Sequence, residues 1–206
     1  MSVGITIMCE CKKNKNPFVF IKRNKSAIDK SYCPPNFLFP KKEFNEPIKD
    51  KPNSYYVIPA FRHFGLDKVF PFSKSESKAV QFCKIVRKGK NWNAFHDGIY
   101  DSLLFPLIKC LEYYKDKDRK MLNGEWNNYF IYFPLVVLNS EIYAIESHNS
   151  TNELIETEFV SFTRDIDSKK YKDKYLVDFV TKDGLQKYLD NHLSPFVNDF
   201  MEKVIE

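Results

Sequence analysis

The residues best suited to chemistry lie near the start of the chain, in the run Cys9-Glu10-Cys11-Lys12-Lys13. The residues before this run are apolar and β-prone, which predicts a strand from Gly4 to Cys11. Side chains alternate between the two faces of a strand, so the carboxylate of Glu10 and the ammonium of Lys12 share one face. A carboxylate can hold Mg²⁺, and a nearby Lys can orient a water and offset charge on a phosphate. The pair suits phosphodiester hydrolysis, although Glu-x-Lys is a common pattern and an exposed ion pair explains it equally well.

The rest of the pattern predicts an α/β protein with strands spread along the chain. Further apolar, β-prone runs lie at Pro17–Ile21, Tyr55–Ala60, Tyr129–Leu138, Glu141–Glu146, Phe159–Thr163 and Tyr175–Val180. Asn139-Ser140 predicts a hairpin between the two strands that flank it. The first two strands are expected to form a hairpin or to be neighbours.

Three stretches place apolar residues at helical spacing: Ser73–Arg87, about Asn93–Tyr114, and the tail from Leu185 onward. Pro106 is expected to kink or break the central helix, and Ser194-Pro195 to restart the tail helix as cap and first residue. His192, on the apolar stripe of the tail, is expected to be a core or boundary residue.

The whole chain, residues 1–206, is expected to be one domain, since 43% of its residues are hydrophobic and no repeat or shift of composition divides it. The Lys-, Asn- and Pro-rich segment 22–53 predicts an irregular insertion. The predicted fold is therefore a central mixed β-sheet flanked by helices, with a long loop insertion in its N-terminal half.

The string Ile5-Thr-Ile-Met-Cys-Glu-Cys-Lys-Lys-Asn-Lys-Asn-Pro-Phe-Val-Phe-Ile21 resembles the catalytic strand of PD-(D/E)XK nucleases, the restriction endonuclease-like superfamily. In that family an apolar strand ending in Glu-Cys-Lys is followed closely by Pro-aromatic-Val-aromatic, and the order of the later elements is compatible too. The resemblance implies a restriction endonuclease-like fold and a Mg²⁺-dependent DNA endonuclease of restriction or defence type. It implies that Glu10 is a catalytic metal ligand and that Lys12 is the catalytic residue that positions water and phosphate.

The sequence departs from this family in one respect. Family members carry an Asp on a strand before the Glu-x-Lys strand, whereas residues 1–8 contain no acid. A lone Glu holds Mg²⁺ poorly, so the chain is a truncated or misassigned form of a longer nuclease, or another acid substitutes, or activity is lost. The downstream acids named as substitutes, each expected to be a surface charge first, are Asp97, Asp101, Glu141 and Glu146.

Basic residues close to the candidate site suggest DNA as the partner. Those nearest to it are Lys13, Lys15, Lys22, Arg23 and Lys25, interleaved with Phe18 and Phe20, and a second group is formed by Lys84, Arg87, Lys88 and Lys90. A third, polar set is expected at the start of the central helix, where a helix N-terminus attracts phosphate: Asn91, Trp92, Asn93, His96 and Asp97. Ordinary solubility accounts for the basic residues equally well, and helix capping by Asn93 is the simpler account of the third set.

Net charge and cysteine usage bound the class of protein. A formal charge of +5 permits a polyanionic partner without requiring one. Five cysteines and no secretory pattern predict free thiols in the cytoplasm. Cys9 and Cys11, with Cys33, lack the second Cys or His pair of a zinc site, so the first two are expected to face the core. No apolar run approaches the roughly 18 residues of a membrane helix.

Two alternatives to a nuclease stay open. One is a catalytically inactive DNA- or protein-binding module of the same fold. The sequence is compatible with a homodimer in either case. The other is an unrelated α/β protein in which the strand motif is a coincidence.

Overall fold

The computed structural model describes residues 2–23, 37–38, 65, 77–96, 98–120, 128–146, 153–167 and 172–205. Their strands form one ten-stranded mixed sheet that curls, with helices on both faces. The strands are β1 (Ser2–Lys12), β2 (Phe18–Lys22), β3 (Phe37–Leu38), β4 (Ala79–Lys88), β5 (Asn91–Phe95), β6 (Asn128–Leu138), β7 (Ile142–Glu146), β8 (Ile155–Thr157), β9 (Phe159–Asp167) and β10 (Lys172–Thr181). The helices are α1 (Ile99–Arg119), α2 (Leu185–Tyr188), a π-helical turn (Leu189–Leu193) and α3 (Ser194–Ile205). The predicted α/β class, a mixed sheet flanked by helices, is confirmed.

The strand order is β1-β6-β10-β9-β4-β2-β7-β8, with β3 added to β6 and β5 added to β4. β1 and β6 are parallel neighbours, and so are β2 and β7. The connections β1–β2 and β6–β7 both run from the first half of this order into the second. These connections lie side by side, because the amide of Asn139 donates to the carbonyl of Lys12 at 3.1 Å.

Two hydrophobic cores cover the two faces of the sheet. On one face α1 buries Leu104, Leu107 and Leu111 against strand side chains that include stacked and edge-on aromatic rings. On the other face α2 and α3 bury Tyr188, Phe196 and Phe200 against β6 and β10. Burial of these aromatic and aliphatic side chains stabilises the packing of the helices on the sheet.

The helix predicted over Ser73–Arg87 is wrong, because the described part of that stretch, from Ala79 onward, is strand β4. Ala79, Val80, Cys83 and Val86 fit helical spacing, but Phe82, which is 1% exposed, packs against Phe20 as a sheet residue would. β4 pairs with β2 on one side and β5 on the other. Pairing with distant strands overrides a weak local helical period.

The central helix begins later than predicted. Asn93 lies in β5, and α1 starts at Ile99 after Gly98, whose φ of 63° is a left-handed conformation that glycine adopts without strain. Asn93 is therefore not the helix cap, and among the described residues no side chain caps this helix. The helix does not end at Pro106, which lies inside it.

Both predicted hairpins are wrong in their pairing. β6 and β7 flank Asn139-Ser140, yet β6 pairs with β1, β3 and β10, while β7 pairs with β2 and β8. The first two strands are not paired either, since β2 pairs with β4 and β7. The short β1–β2 and β6–β7 connections therefore link strands in different halves of the sheet and are not hairpin turns.

The tail helix is continuous through Ser194, which has helical dihedrals (φ −62°, ψ −45°) and so is not a cap. A π-helical turn precedes Pro195, whose ring would crowd the carbonyl one α-turn earlier. His192 is half-buried with its ring 4.4 Å from that of Phe159, as a boundary residue would be. Within the described ranges no helix is long and apolar enough to cross a membrane.

The predicted insertion 22–53 and the predicted strand Tyr55–Ala60 fall mostly outside the described residues. Phe37–Leu38 is described and forms β3 against β6.

Candidate functional site

The strand motif lies at the carboxyl end of β1, and its two charged side chains project toward the α1 face. Met8 is buried in the core beneath α1, and alternation puts Glu10 and Lys12 on that same face. Lys12 Nζ and Glu10 Oε1 form an ion pair at 2.7 Å, with side chains 35% and 30% exposed. The predicted shared face is confirmed, and the pair is at the rim of the core rather than in bulk solvent.

The neighbours of this pair on β6 are apolar. Glu10 lies opposite Val136 and Lys12 opposite Leu138, both fully buried. β1 is the first strand in the sheet order and β6 its neighbour. The residues of β6 that pair with Glu10 and Lys12 therefore supply no second carboxylate.

The described residues do not by themselves complete a Mg²⁺ site. Mg²⁺ requires an octahedral set of oxygen ligands, usually with more than one carboxylate or substrate phosphate. In the part of the chain that the structure describes, no three His, Cys, Asp or Glu side chains come together at metal-binding distance. The carboxylate of Glu10 is engaged instead by Lys12.

The four acids proposed as substitutes lie in different places. Glu146, at the far end of β7, accepts from Ser77 at 3.0 Å and pairs with Lys22 at 3.4 Å. Asp101 is exposed on the first turn of α1, and Asp97 lies outside the described residues. Glu141 is exposed in the β6–β7 connection, and its carbonyl accepts from the amide of Phe18 at 3.0 Å. Of the described three, Glu141 is the one at the same end of the sheet as Glu10.

Positive charge collects at this end of the sheet. Lys13 and Lys15 are exposed in the β1–β2 connection, which turns tightly because the Asn14 amide donates to the Lys12 carbonyl at 3.1 Å. The Asn16 amide donates to the Asn14 side chain at 3.3 Å, which fixes the turn. We call Lys12, Lys13 and Lys15 the basic edge.

Lys22 and Arg23 are not part of the basic edge. They follow the opposite end of β2, where Lys22 pairs with Glu146 and the Arg23 carbonyl accepts from Ser77 at 2.9 Å. Five strand residues separate this end from Lys13 and Lys15, which is roughly 17 Å at 3.3–3.4 Å per residue. The sequence placed these four residues in one group, and the structure divides them.

A second basic feature extends from the same end. β4 runs past the start of β2, with the Ile85 amide donating to the Pro17 carbonyl at 2.9 Å, and then turns back at Gly89-Lys90 into β5. Every residue from Arg87 to Phe95 is exposed. We call the hairpin from Lys84 to Phe95 the basic ribbon.

The basic ribbon contains no acidic residue, and its cations are Lys84, Arg87, Lys88 and Lys90. Asn93 lies in the middle of the ribbon opposite Val86, and His96 is exposed at its base. Sequence reasoning instead placed Lys84 and Arg87 in one predicted helix, and Asn93 and His96 at the start of another. The signal it passed over was Gly89-Lys90, a two-residue turn with glycine at φ 62°, between two β-prone runs.

Cys9 and Cys11 are exposed, so the prediction that they face the core is wrong. They lie on the opposite face from Glu10 and Lys12, with sulfurs 3.7 Å apart. Partial burial, then the hydrogen bond and charge of Cys11, raise the pKa of Cys9 to about 11. Cys9, Cys11, Cys83 and Cys110 are free thiols, as predicted, while Cys33 lies outside the described residues.

Comparison with protein families, with curated proteins and with solved structures finds no match to this chain. The class that the structure defines is an α/β protein with a curled mixed sheet. The PD-(D/E)XK resemblance rests on β1, the connection after it and β2, and it remains a prediction.

Proposed function

We propose that this chain is a DNA-binding protein of restriction endonuclease-like type, in which the basic edge contacts the phosphate backbone. The observation that carries the proposal is that Lys12, Lys13 and Lys15 lie together at the carboxyl ends of the parallel strands β1 and β6. Ligands of α/β sheets bind at the carboxyl ends of strands. Exposed Lys side chains in that place favour a polyanion over a neutral ligand.

Charge balance at this end supports the proposal. Lys12, Lys13 and Lys15 carry three positive charges, and Glu10 and the nearby Glu141 carry two negative ones, so these five residues leave a net charge of +1. Lys13 and Lys15 project from a turn fixed by Asn14. A turn of fixed shape presents its cations with less loss of entropy on binding than a flexible arm.

The test is a titration of labelled duplex DNA at several salt concentrations. Replacing Lys13 and Lys15 together by Ala should weaken binding and lower the slope of log K against log salt by about 1.8, or about 0.9 for each phosphate that is no longer neutralised. Lys22→Ala is the matched control, because Lys22 is a lysine of the same sheet held by Glu146 at the opposite end. If Lys22→Ala loses as much DNA affinity as the double variant, the basic edge is not the DNA-binding surface. No binding at low salt would refute DNA binding altogether.

A second candidate is Mg²⁺-dependent DNA cleavage of restriction or defence type, and one observation favours it. Glu141 lies in the connection that hydrogen-bonds alongside the end of β1, so an acid at the same end of the sheet accompanies Glu10 and Lys12. The described residues do not complete a metal site, so this candidate also needs a carboxylate from elsewhere in the chain.

Cleavage is tested with supercoiled plasmid, with and without Mg²⁺. If the second candidate is right, Lys12→Ala and Glu10→Gln abolish Mg²⁺-dependent cutting, Glu141→Gln reduces it, and Asp101→Asn leaves it unchanged. If Lys12→Ala in a clean preparation cuts DNA at the wild-type rate, the cleavage candidate is refuted. If the wild type binds DNA without cutting it, only the DNA-binding proposal remains.

A further inference from the structure

We infer that the basic ribbon binds single-stranded nucleic acid, with an unpaired base stacked on Trp92 and neighbouring phosphates held by Arg87 and Lys90. This inference rests on the proposed function, because it names a further surface and the form of nucleic acid that it takes. The basic edge does not include these residues, so the two can be tested separately.

The first argument is the exposure of Trp92. Its side chain is 55% exposed, and β5 around it is exposed at every residue. Trp92 therefore adds little to either hydrophobic core, and an exposed Trp is uncommon unless it contacts a partner. Phe95, 37% exposed on the same strand, has the Lys88 ammonium 5.4 Å from its ring centre.

The second argument is the register of the hairpin. Arg87 lies directly opposite Trp92, whereas Lys88 lies opposite Asn91 and so, by strand alternation, on the other face of the hairpin with Phe95. Directly opposed side chains of an antiparallel pair share a face about 4.5–5.5 Å apart at Cβ. The guanidinium of Arg87 is held toward the turn by donating from Nε to the Gly89 carbonyl at 3.3 Å. The Arg87 guanidinium and the Trp92 ring therefore lie next to each other. A nucleotide needs this arrangement, because its base would stack on the ring while its phosphate pairs with the cation.

The third argument separates a single strand from a duplex. Cations alone suffice to contact a duplex backbone, whose bases are already stacked on each other. An exposed aromatic ring among cations matches an unpaired base, since stacking on such a ring is worth about 1–3 kcal/mol per base. The absence of acids from Lys84 to Phe95 removes repulsion of the strand along the ribbon.

The experiment uses the full chain and a labelled oligothymidylate of about 16 nucleotides, which spans a typical single-strand site. Trp92→Ala should weaken binding about 5- to 150-fold, the equivalent of one stacked base, and Trp92→Tyr should recover most of it. Tyr113→Ala is the matched control, since Tyr113 is a 67% exposed aromatic residue on α1. In a Trp126→Phe background, which leaves Trp92 as the only tryptophan, the oligonucleotide should quench tryptophan fluorescence.

The cations are tested by replacing Arg87 and Lys90 together with Gln, which should lower the salt slope by about 1.4, or about 0.7 for each phosphate of the single strand that is no longer neutralised. Lys88→Gln, on the other face of the hairpin, is the matched control and should change the slope less. If the wild type binds nucleic acid but Trp92→Ala binds the oligonucleotide equally well, the ribbon inference is overturned and the proposed function is not. Tighter binding of duplex than of the oligonucleotide, with no fluorescence change, overturns it too. If the wild type binds neither, both fail.

Discussion

Removing one hydroxyl, by Tyr188→Phe, should measurably loosen the tail helices from the sheet. Tyr188 is 2% exposed, and its hydroxyl donates to Asp178 Oδ2 at 2.5 Å. Asp178, 4% exposed on β10, also accepts from Ser161 on β9 at 2.6 Å. The carboxylate thus joins α2 to two neighbouring strands, and Phe keeps the ring while deleting one of its donors.

A hydrogen bond to a charged group contributes about 1.5–3 kcal/mol. For a chain of this size each kcal/mol lowers the melting temperature by about 2–4 °C, so a fall of about 3–12 °C is expected. Guanidinium unfolding at neutral pH measures the free energy directly. Tyr113→Phe, which removes a hydroxyl from an exposed ring, is the control and should change stability by less than about 0.5 kcal/mol.

The pH dependence supplies an independent check. Burial, and then the charge and hydrogen bond of Asp178, hold the pKa of Tyr188 well above its ordinary value of 10.0. Above about pH 10 the unfolded chain loses this proton while the folded chain keeps it, so the contribution of Tyr188 is complete below pH 10 and declines above it. The decline approaches about 1.4 kcal/mol per pH unit. The gap between wild type and Tyr188→Phe should therefore narrow from pH 10 upward.

The reasoning is refuted if Tyr188→Phe is as stable as the Tyr113→Phe control at pH 7, or if the gap is constant between pH 9 and 11. Ser161→Ala and Tyr188→Phe together form a double-mutant cycle. Because the Ser161 and Tyr188 hydroxyls both donate to the Asp178 carboxylate, the unfolding free energy of the double variant should depart from additivity by more than about 0.5 kcal/mol.

Three further predictions concern single positions. At pH 8 maleimide should label Cys9 far more slowly than it labels free cysteine, because a pKa raised to about 11 leaves this thiol almost wholly protonated; a rate equal to that of free cysteine, followed by peptide mass mapping, would contradict this. Gly184→Ala should cost at least about 1 kcal/mol in chemical denaturation, since its Cβ would lie 2.7 Å from Glu158 Cβ and 2.9 Å from Thr181 Oγ1; an unchanged midpoint would contradict this close packing. Gly89→Ala should destabilise the ribbon turn by roughly 1 kcal/mol while Gly89→Asn is tolerated better, because φ is 62° there; a stable Ala variant in thermal melts would argue against that turn geometry.

The elements that sequence reasoning located well are those whose pattern is local. β1, β6 and the tail helices follow from continuous apolar runs or a long helical stripe, and each was found within a few residues of its bounds. The shared face of Glu10 and Lys12 follows from strand alternation alone. These features need no knowledge of the neighbouring elements.

The features that sequence reasoning missed depend on distant partners. β4 looks helical by spacing, and only its pairing with β2 and β5 makes it a strand. The β6–β7 hairpin was inferred from a turn signal, but parallel pairing of β7 with β2 is decided by chain more than 120 residues away, since Phe18 meets Ile142. The division of Lys13 and Lys15 from Lys22 and Arg23 follows from the same topology, which adjacency in the sequence does not convey.

The parallel pairing of β1 with β6 has a consequence for biosynthesis. Ser2 meets Asn128, so 126 residues must be translated before the first strand can find its described neighbour. At about 5–20 residues per second this takes roughly 6–25 s. Throughout that interval the apolar strand β1 is without this neighbour, so the Glu10–Lys12 end takes its described form only after β6 has been synthesised.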